Sequence, residues 1–304
     1  MKTILKPITL FFALFLITAT SFAWNGRGHM IVASIAYRNL SDSLQIHYTD
    51  ILKEHPFYQD WNKEFNELTG IEFGEFLFMK AATWPDDIRK SGNPNDHPEW
   101  HYMSYKIVYD GKIPKREVTD TVNVLTQLEH CLDLVRNDDE ETNERAIALA
   151  WYIHLVGDMH QPLHTASLFN TLYPKGDLGG NSINVIVKAG NNATNLHSFW
   201  DGLMGTGKSY SAICDQSRNL TSTHTEPSLP MADSLSFTLW SYESYALAAT
   251  VAHKNGEIDR LSGIKSKDTA PLIPNAEQYV KTAKATGELR VALGGYRLAK
   301  TLSD

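Results

Sequence analysis

The sequence predicts a mainly α-helical protein. Apolar residues recur at helical spacing along most of the chain, strand signals gather in one short run, and the candidate chemistry sits at helical offsets. His29 to Leu40 (HMIVASIAYRNL) is apolar with small residues and reads as a buried helix. Ser43 to Glu54 and Phe76 to Thr83 follow, then Val118 to Arg136, with apolar residues at Val122, Leu125, Leu128, Leu132 and Val135. Glu141 to Asp158 reads as a long apolar helix entering the interior. Met231 to His253 and Asn275 to Thr301 read as two long closing helices. Ser182 to Lys188 (SINVIVK), framed by Gly179-Gly180 and Ala189-Gly190-Asn191, is the clearest strand and predicts a small β-hairpin.

Met1 to Ala23 reads as a secretory signal: Lys2 and Lys6 in the positive region, an apolar core from Leu10 to Leu16, and a small-x-small site at Ser21-Phe22-Ala23. The apolar core is short for a membrane span, and no later run reaches the roughly 20 residues required. The expectation is a secreted or periplasmic protein with no stable membrane association. Residues 24–304 carry no Pro/Gly-rich linker or internal repeat and are expected to form one domain.

Removing Lys2 and Lys6 takes the formal charge from −7 to −9. A broad basic surface for duplex nucleic acid is therefore excluded, and a phosphate-bearing substrate would need bound cations for its positive field. The two cysteines, Cys131 and Cys214, permit a disulfide without requiring one. Sequons at Asn39, Asn192 and Asn219 matter only in a eukaryotic source.

The most informative stretch is His154-Leu155-Val156-Gly157-Asp158-Met159-His160-Gln161-Pro162-Leu163-His164. His154 and Asp158 are four apart and share a helix face, so they can close on one ion. His164, just past Pro162, can reach a different ion. The pattern recurs at His197 and Asp201. One such pair is more often a local ion pair; two, with a third His, point to more than one metal. Imidazole and carboxylate donors without cysteine favour zinc over manganese or iron.

Cleavage after Ala23 leaves Trp24 first. A free α-amino group has a pKa of about 7.7 to 8.0, so a metal can compete for its nitrogen, and the Trp24 carbonyl completes a five-membered chelate close to His29. In Trp84-Pro85-Asp86-Asp87-Ile88-Arg89, Asp86 could bind metal while Arg89 offers planar donors to a phosphate; a solvent-exposed turn with a local ion pair is the competing reading. Of His97 and His101, the second is favoured by its aromatic neighbours Trp100 and Tyr102, and Tyr102 could stack on a base. His47, His55, His130, His224 and His253 have no partner pattern and read as surface or satisfied core residues. His160 either ligates or orients a ligand.

Trp24, the WPD at Trp84 to Asp86, the WHY at Trp100 to Tyr102, HLVGDMHQPLH, the GGN at Gly179 to Asn181 and NLHSFWD at Asn195 to Asp201 together resemble the single-strand-specific zinc nucleases. This is the nuclease S-one/P-one family of fungi and plants, with bacterial relatives, whose fold is shared with zinc-dependent phospholipase C. The motifs run in the family's order from Trp24 to Asp201; the last hundred or so residues match only in being helical. The resemblance implies three zinc ions. Asp86, His101, His154 and Asp158 would hold one; the Trp24 amino nitrogen and carbonyl oxygen, His29 and a bridging Asp158 the second; His164, His197 and Asp201 the third. Arg89 matches an arginine that contacts the substrate phosphate, and Tyr102 an aromatic that sandwiches a base. Fungal members have an aspartate two residues after that aromatic, where this chain has Ser104. A hydroxyl is not a fixed anionic acceptor, so base preference does not carry over.

The expected activity is hydrolysis of single-stranded DNA and RNA, and of nucleotides, to 5′-phosphorylated products, with 3′-nucleotidase activity. Asp158 and Arg89 are the catalytic candidates, and no obligate protein partner is implied. The rivals are a phospholipase C using the same metals and a secreted zinc-binding protein without catalysis.

Overall fold

The computed structural model describes residues 24–109 and 121–304; the expected signal segment and Val118 to Asp120 of an expected helix lie outside the described residues. The architecture is mainly α, with two small strand pairs. Local chemistry sets the elements that lead into its centre. Asn25 accepts a hydrogen bond from the Gly28 N–H and opens α1, Gly26–Asn39. α2 (Asp42–Lys53) and the short α3 (Tyr58–Phe65) lead to α4, Phe73–Asp87. α5, Val124–Arg136, begins at Asn123, whose side chain accepts from Leu125 and Thr126 N–H while Thr126 reciprocates. That capping box explains why the helix starts later than its apolar pattern suggested.

The central helix, α6 (Thr142–His160), is buried at every residue from Ala148 to His160. A helix apolar on all sides must be surrounded. α2, α4, α5 and α10 (Ala276–Ser303) enclose it, and α1 lies between α4 and α10. Two three-residue strands, β1 (Tyr105–Ile107) and β2 (Ala166–Leu168), pair in parallel, Tyr105 opposite Ala166. The expected hairpin is smaller than its apolar run: β3 (Asn184–Val185) pairs antiparallel with β4 (Thr194–Asn195). α7 (Leu196–Asp201) and α8 (Tyr210–Thr223) follow.

The expected helix from Met231 to His253 is broken. A 3-10 turn covers Pro230–Asp233, Ser236 caps a new helix α9 (Phe237–Leu247), and a π turn covers Ala248–Ala252. Ser236 Oγ accepts from the Leu239 N–H in place of the helical ladder, and the Ser234 main-chain carbonyl accepts from the Trp240 side chain at Nε1. Cys131 and Cys214 are both buried and unbridged. The Cys214 thiol instead donates to Glu75 Oε1 at 3.3 Å. No helix of the described residues is long and apolar enough to cross a membrane.

α9 and α10 are clamped by charge. The buried Arg290 and Arg297 guanidinium groups both bond Glu243, at 2.7 Å each, and burial lowers Arg290 to about 10. The two cations and one carboxylate also hold the end of α6, because Arg290 Nε donates to the His160 carbonyl. Removing the anion leaves two buried cations uncompensated. Glu243→Gln is expected to lower the unfolding free energy by about 3–5 kcal/mol in urea titration, with the denaturant slope unchanged.

Candidate metal centre

The site forms where α1, α4, α6 and α7 meet, and three of its rings are aimed by main-chain carbonyls. His154 Nδ1 lies 2.8 Å from the Ala82 carbonyl, His164 Nδ1 2.6 Å from the His101 carbonyl, and His197 Nδ1 2.7 Å from the Gly179 carbonyl. A carbonyl can only accept, so Nδ1 carries the proton in each ring and Nε2 presents a lone pair. α4 passes through Pro85, which has no N–H to give Ala81, and the carbonyl one residue on, at Ala82, serves His154. The β1–β2 pair performs a similar task. It staples the segment after His101 to the segment after His164, reinforced by Met103 N–H to the His164 carbonyl at 2.8 Å.

Three donor groups result: His29, His154 and Asp158; Asp86, His101 and His154; and His164, His197 and Asp201, the ligand atoms in each lying within 4.8 Å of one another. Asp158 faces two groups. Its Oδ2 is 3.1 Å from both His101 Nδ1 and His154 Nε2, while its Oδ1 is 3.4 Å from His29 Nε2. His29 stacks on His154 with centroids 4.0 Å apart, and this approach depends on Gly157. A Cβ there would sit 2.5 Å from His29 Nδ1. Asp201 is fixed by Gln161, whose Nε2 donates to Oδ1 at 2.7 Å, while Oδ2 lies 3.5 Å from His197 Nε2.

Burial governs the charge states. It raises Asp86 to about 7 and Asp158 to about 6, and lifts Asp201 well above the usual carboxylate range. It lowers His29 to about 4, with His154 adding to the effect, and holds His101 and His164 well below the ordinary imidazole value. Buried atoms of the donor groups without a hydrogen-bond partner include His29 Nε2, His164 Nε2, Asp86 Oδ1 and Asp158 Oδ1. So many orphaned lone pairs converging in a dry interior fit metal ions, because a dication satisfies acceptors that no N–H here can reach.

Trp24 is fully buried, and the Asn25 N–H donates to the Asp201 carbonyl at 3.2 Å, bringing Trp24 close to the third group. Arg27 secures that segment by donating to Gln216 Oε1 at 2.7 Å and the Gly207 carbonyl at 2.9 Å. Arg89 lies against Asp86, 3.8 Å from Oδ1, and Tyr102 is 44 % exposed. Asp86 lies in the last turn of α4 and joins the second donor group, and the turn that follows the helix carries Arg89 back to it as a local ion pair. His97 stacks on Trp100 and joins none of the three groups. His160 points the other way: its Nδ1 donates to the Val156 carbonyl and its Nε2 accepts from Arg297, so it fastens α10. Gln161, Gly157 and the three aiming carbonyls were invisible to spacing rules, since each acts through a tertiary contact.

The family model described as S1/P1 Nuclease matches residues 24–304. The chain is 28% identical to Nuclease P1 of Penicillium citrinum, covering 92% of this chain and 97% of that one. It is 22% identical to Nuclease S1 of Aspergillus oryzae, over 93% and 91% of the two chains, and 27% identical to Endonuclease 5 of Arabidopsis thaliana, over 73% and 75%.

Two substitutions check the geometry. Gly157→Ala, favourable for an ordinary helix by about 1 kcal/mol, should here displace the His29 ring and reduce bound metal, with helical circular dichroism unchanged. Gln161→Leu should free Asp201 and weaken metal binding by about 10–100-fold in chelator competition.

Proposed function

The chain belongs to the S1/P1 nuclease family, and we propose that it is a secreted or periplasmic zinc enzyme that hydrolyses single-stranded DNA and RNA to 5′-phosphorylated products, with 3′-nucleotidase activity. The observation that carries this reading is the convergence of three adjacent donor groups, rich in buried lone pairs, beside Arg89 and an exposed Tyr102. Residues 24–304 act as one domain.

Asp86, His101, His154 and Asp158 would hold one zinc; Trp24 through its amino nitrogen and carbonyl, His29 and Asp158 a second; His164, His197 and Asp201 the third. Zinc bound there supplies Lewis acidity, making hydroxide available near neutral pH and offsetting phosphate charge. The protein's own contribution is placement. Asp158 turns one carboxylate oxygen toward His29 and the other toward His101 and His154, which fixes the spacing of the first two sets. Arg89 presents planar donors to the phosphodiester and stabilises its developing charge. Tyr102 offers a ring face to a base, worth on the order of 1–3 kcal/mol. A duplex must first unstack that base at a cost of a few kcal/mol, which accounts for single-strand preference. The relatives' identities and the exposed Tyr102 favour nucleic acid over a phospholipid as substrate.

The deciding assay incubates the protein beginning at Trp24 with single-stranded DNA and RNA, with and without chelator, and identifies products by mass spectrometry. Chelator-sensitive release of 5′-phosphorylated fragments is expected; intact strands from zinc-loaded protein would overturn the proposal. Asp158→Asn should remove more zinc than Asp201→Asn, because Asp158 faces two donor groups and Asp201 one; equal losses by elemental analysis would count against bridging. One residue added before Trp24 should abolish most activity, and full activity in that protein would refute a ligating amino terminus.

A further inference from the structure

Outside the metal centre, the deepest polar contact left unexplained joins Asp177 and His253. Both side chains are fully buried. Asp177 Oδ1 accepts from the Ser167 hydroxyl at 2.9 Å and from the Leu168 N–H at 2.8 Å, both in β2. Its Oδ2 has no hydrogen-bond partner and lies 3.7 Å from His253 Nε2. Neither ring nitrogen of His253 has a hydrogen-bond partner. Two facing polar groups in a dry interior compensate each other or leave each other's lost hydration unmet. The expectation that His253 is a surface or satisfied core residue is therefore corrected: it is buried with both ring nitrogens unpartnered, facing Asp177 with Asp259 also within electrostatic reach.

The backbone on the C-terminal side of both residues gives the contact its consequence. After Asp177, the left-handed region is occupied three times running, by Leu178 (φ 58°), Gly179 (φ 60°) and Gly180 (φ 87°). After His253 the same occurs at Lys254 (φ 49°), Asn255 (φ 53°) and Gly256 (φ 82°). Such runs persist only where their surroundings over-determine them. The first run presents the Gly179 carbonyl to His197 Nδ1, and it has no slack, since a Cβ at Gly179 would meet the Leu163 carbonyl at 2.5 Å. β2, to which Asp177 is bonded, starts two residues after His164. Asp177 thus stands between the segments that aim two members of the third donor group, and His253 backs it from the far side.

We propose that Asp177 and His253 form a latch that positions His197, so that His253, outside all three donor groups, sets the affinity of the third metal and leaves the other two unaffected. Both are positioning residues, and the inference rests on the three-zinc reading of the site.

The test uses the full chain from Trp24, loaded with zinc. Zinc per protein is followed through a graded chelator series by elemental analysis, with thermal unfolding measured in parallel. His253→Phe keeps an aromatic ring without nitrogen; one zinc should leave at a chelator concentration at least about tenfold lower while the other two follow the wild type. His253→Gln, which retains an N–H toward Asp177, should restore the wild-type profile. Should His253→Phe fail to fold, Asp177→Asn, which keeps an acceptor for Ser167 and Leu168, should show the same selective loss. An unchanged profile, or parallel weakening of all three zincs with the melting temperature, overturns the latch. A wild type that never holds three zincs overturns the proposed function and the latch with it.

Discussion

Desolvation of lone pairs is the constraint on which the rest of this structure depends. Three aspartates and five histidines are brought together where water is largely excluded, and burial pushes the carboxylates toward protonation and His29, His101, His154 and His164 toward neutrality. A cluster of that kind is costly unless cations enter it. The surrounding helices are organised to keep the cost from being relieved by relaxation. α6 is buried on every side over its last three turns, so His154 and Asp158 cannot swing outward.

The aiming of the rings has the same origin. A histidine can ligate through either nitrogen, and only an external partner removes the ambiguity. Here three main-chain carbonyls do so, at Ala82, His101 and Gly179. Each belongs to a different element, so the tautomers at the site report the packing of α4 against α6, of the His101 turn against β2, and of the Gly179 loop against α7. Side-chain partners would bring their own rotamer freedom; a carbonyl does not. The two-stranded β1–β2 pair, trivial as a sheet, matters because it fixes one such carbonyl relative to the ring it serves.

Much of the candidate site was legible because helix geometry is local. His154 with Asp158, and His197 with Asp201, needed only a four-residue offset, and both pairs lie on helices. His101 was separable from His97 by its aromatic flanks, although in the fold it is Trp151 that packs edge-on to His101 while Trp100 stacks on His97. The concealed part was non-local. Gly157 looks like a weak point in a helix until the His29 ring is placed against it. Gln161 looks like a linker residue until Asp201 is placed beside it. The apolar run from Met231 to His253 has the right periodicity for one helix, yet a 3-10 turn, a cap at Ser236 and a π turn interrupt it, and the α9 piece carries the Glu243 that bonds two arginines on α10. The same break delivers His253 to Asp177, a pairing that no spacing rule predicts.

Charge placement joins the fold to the proposed chemistry. The chain is acidic overall, and a polyanionic strand approaching its average surface would be repelled. On the three-zinc reading, three dications against three aspartates leave a local excess of about three positive charges, with Arg89 adding to it. Screening over roughly 8–10 Å confines that field to the mouth of the site. A single strand can thread one phosphate into so narrow a positive zone while its neighbours stay in solvent, whereas a rigid duplex would hold many phosphates against acidic surface at once. Substrate preference would then arise twice, from the unstacking cost at Tyr102 and from the contrast between a cationic centre and a chain that is acidic overall. On that reading the same donor groups would supply both the reactive centre and the strongest electrostatic attractor for the strand.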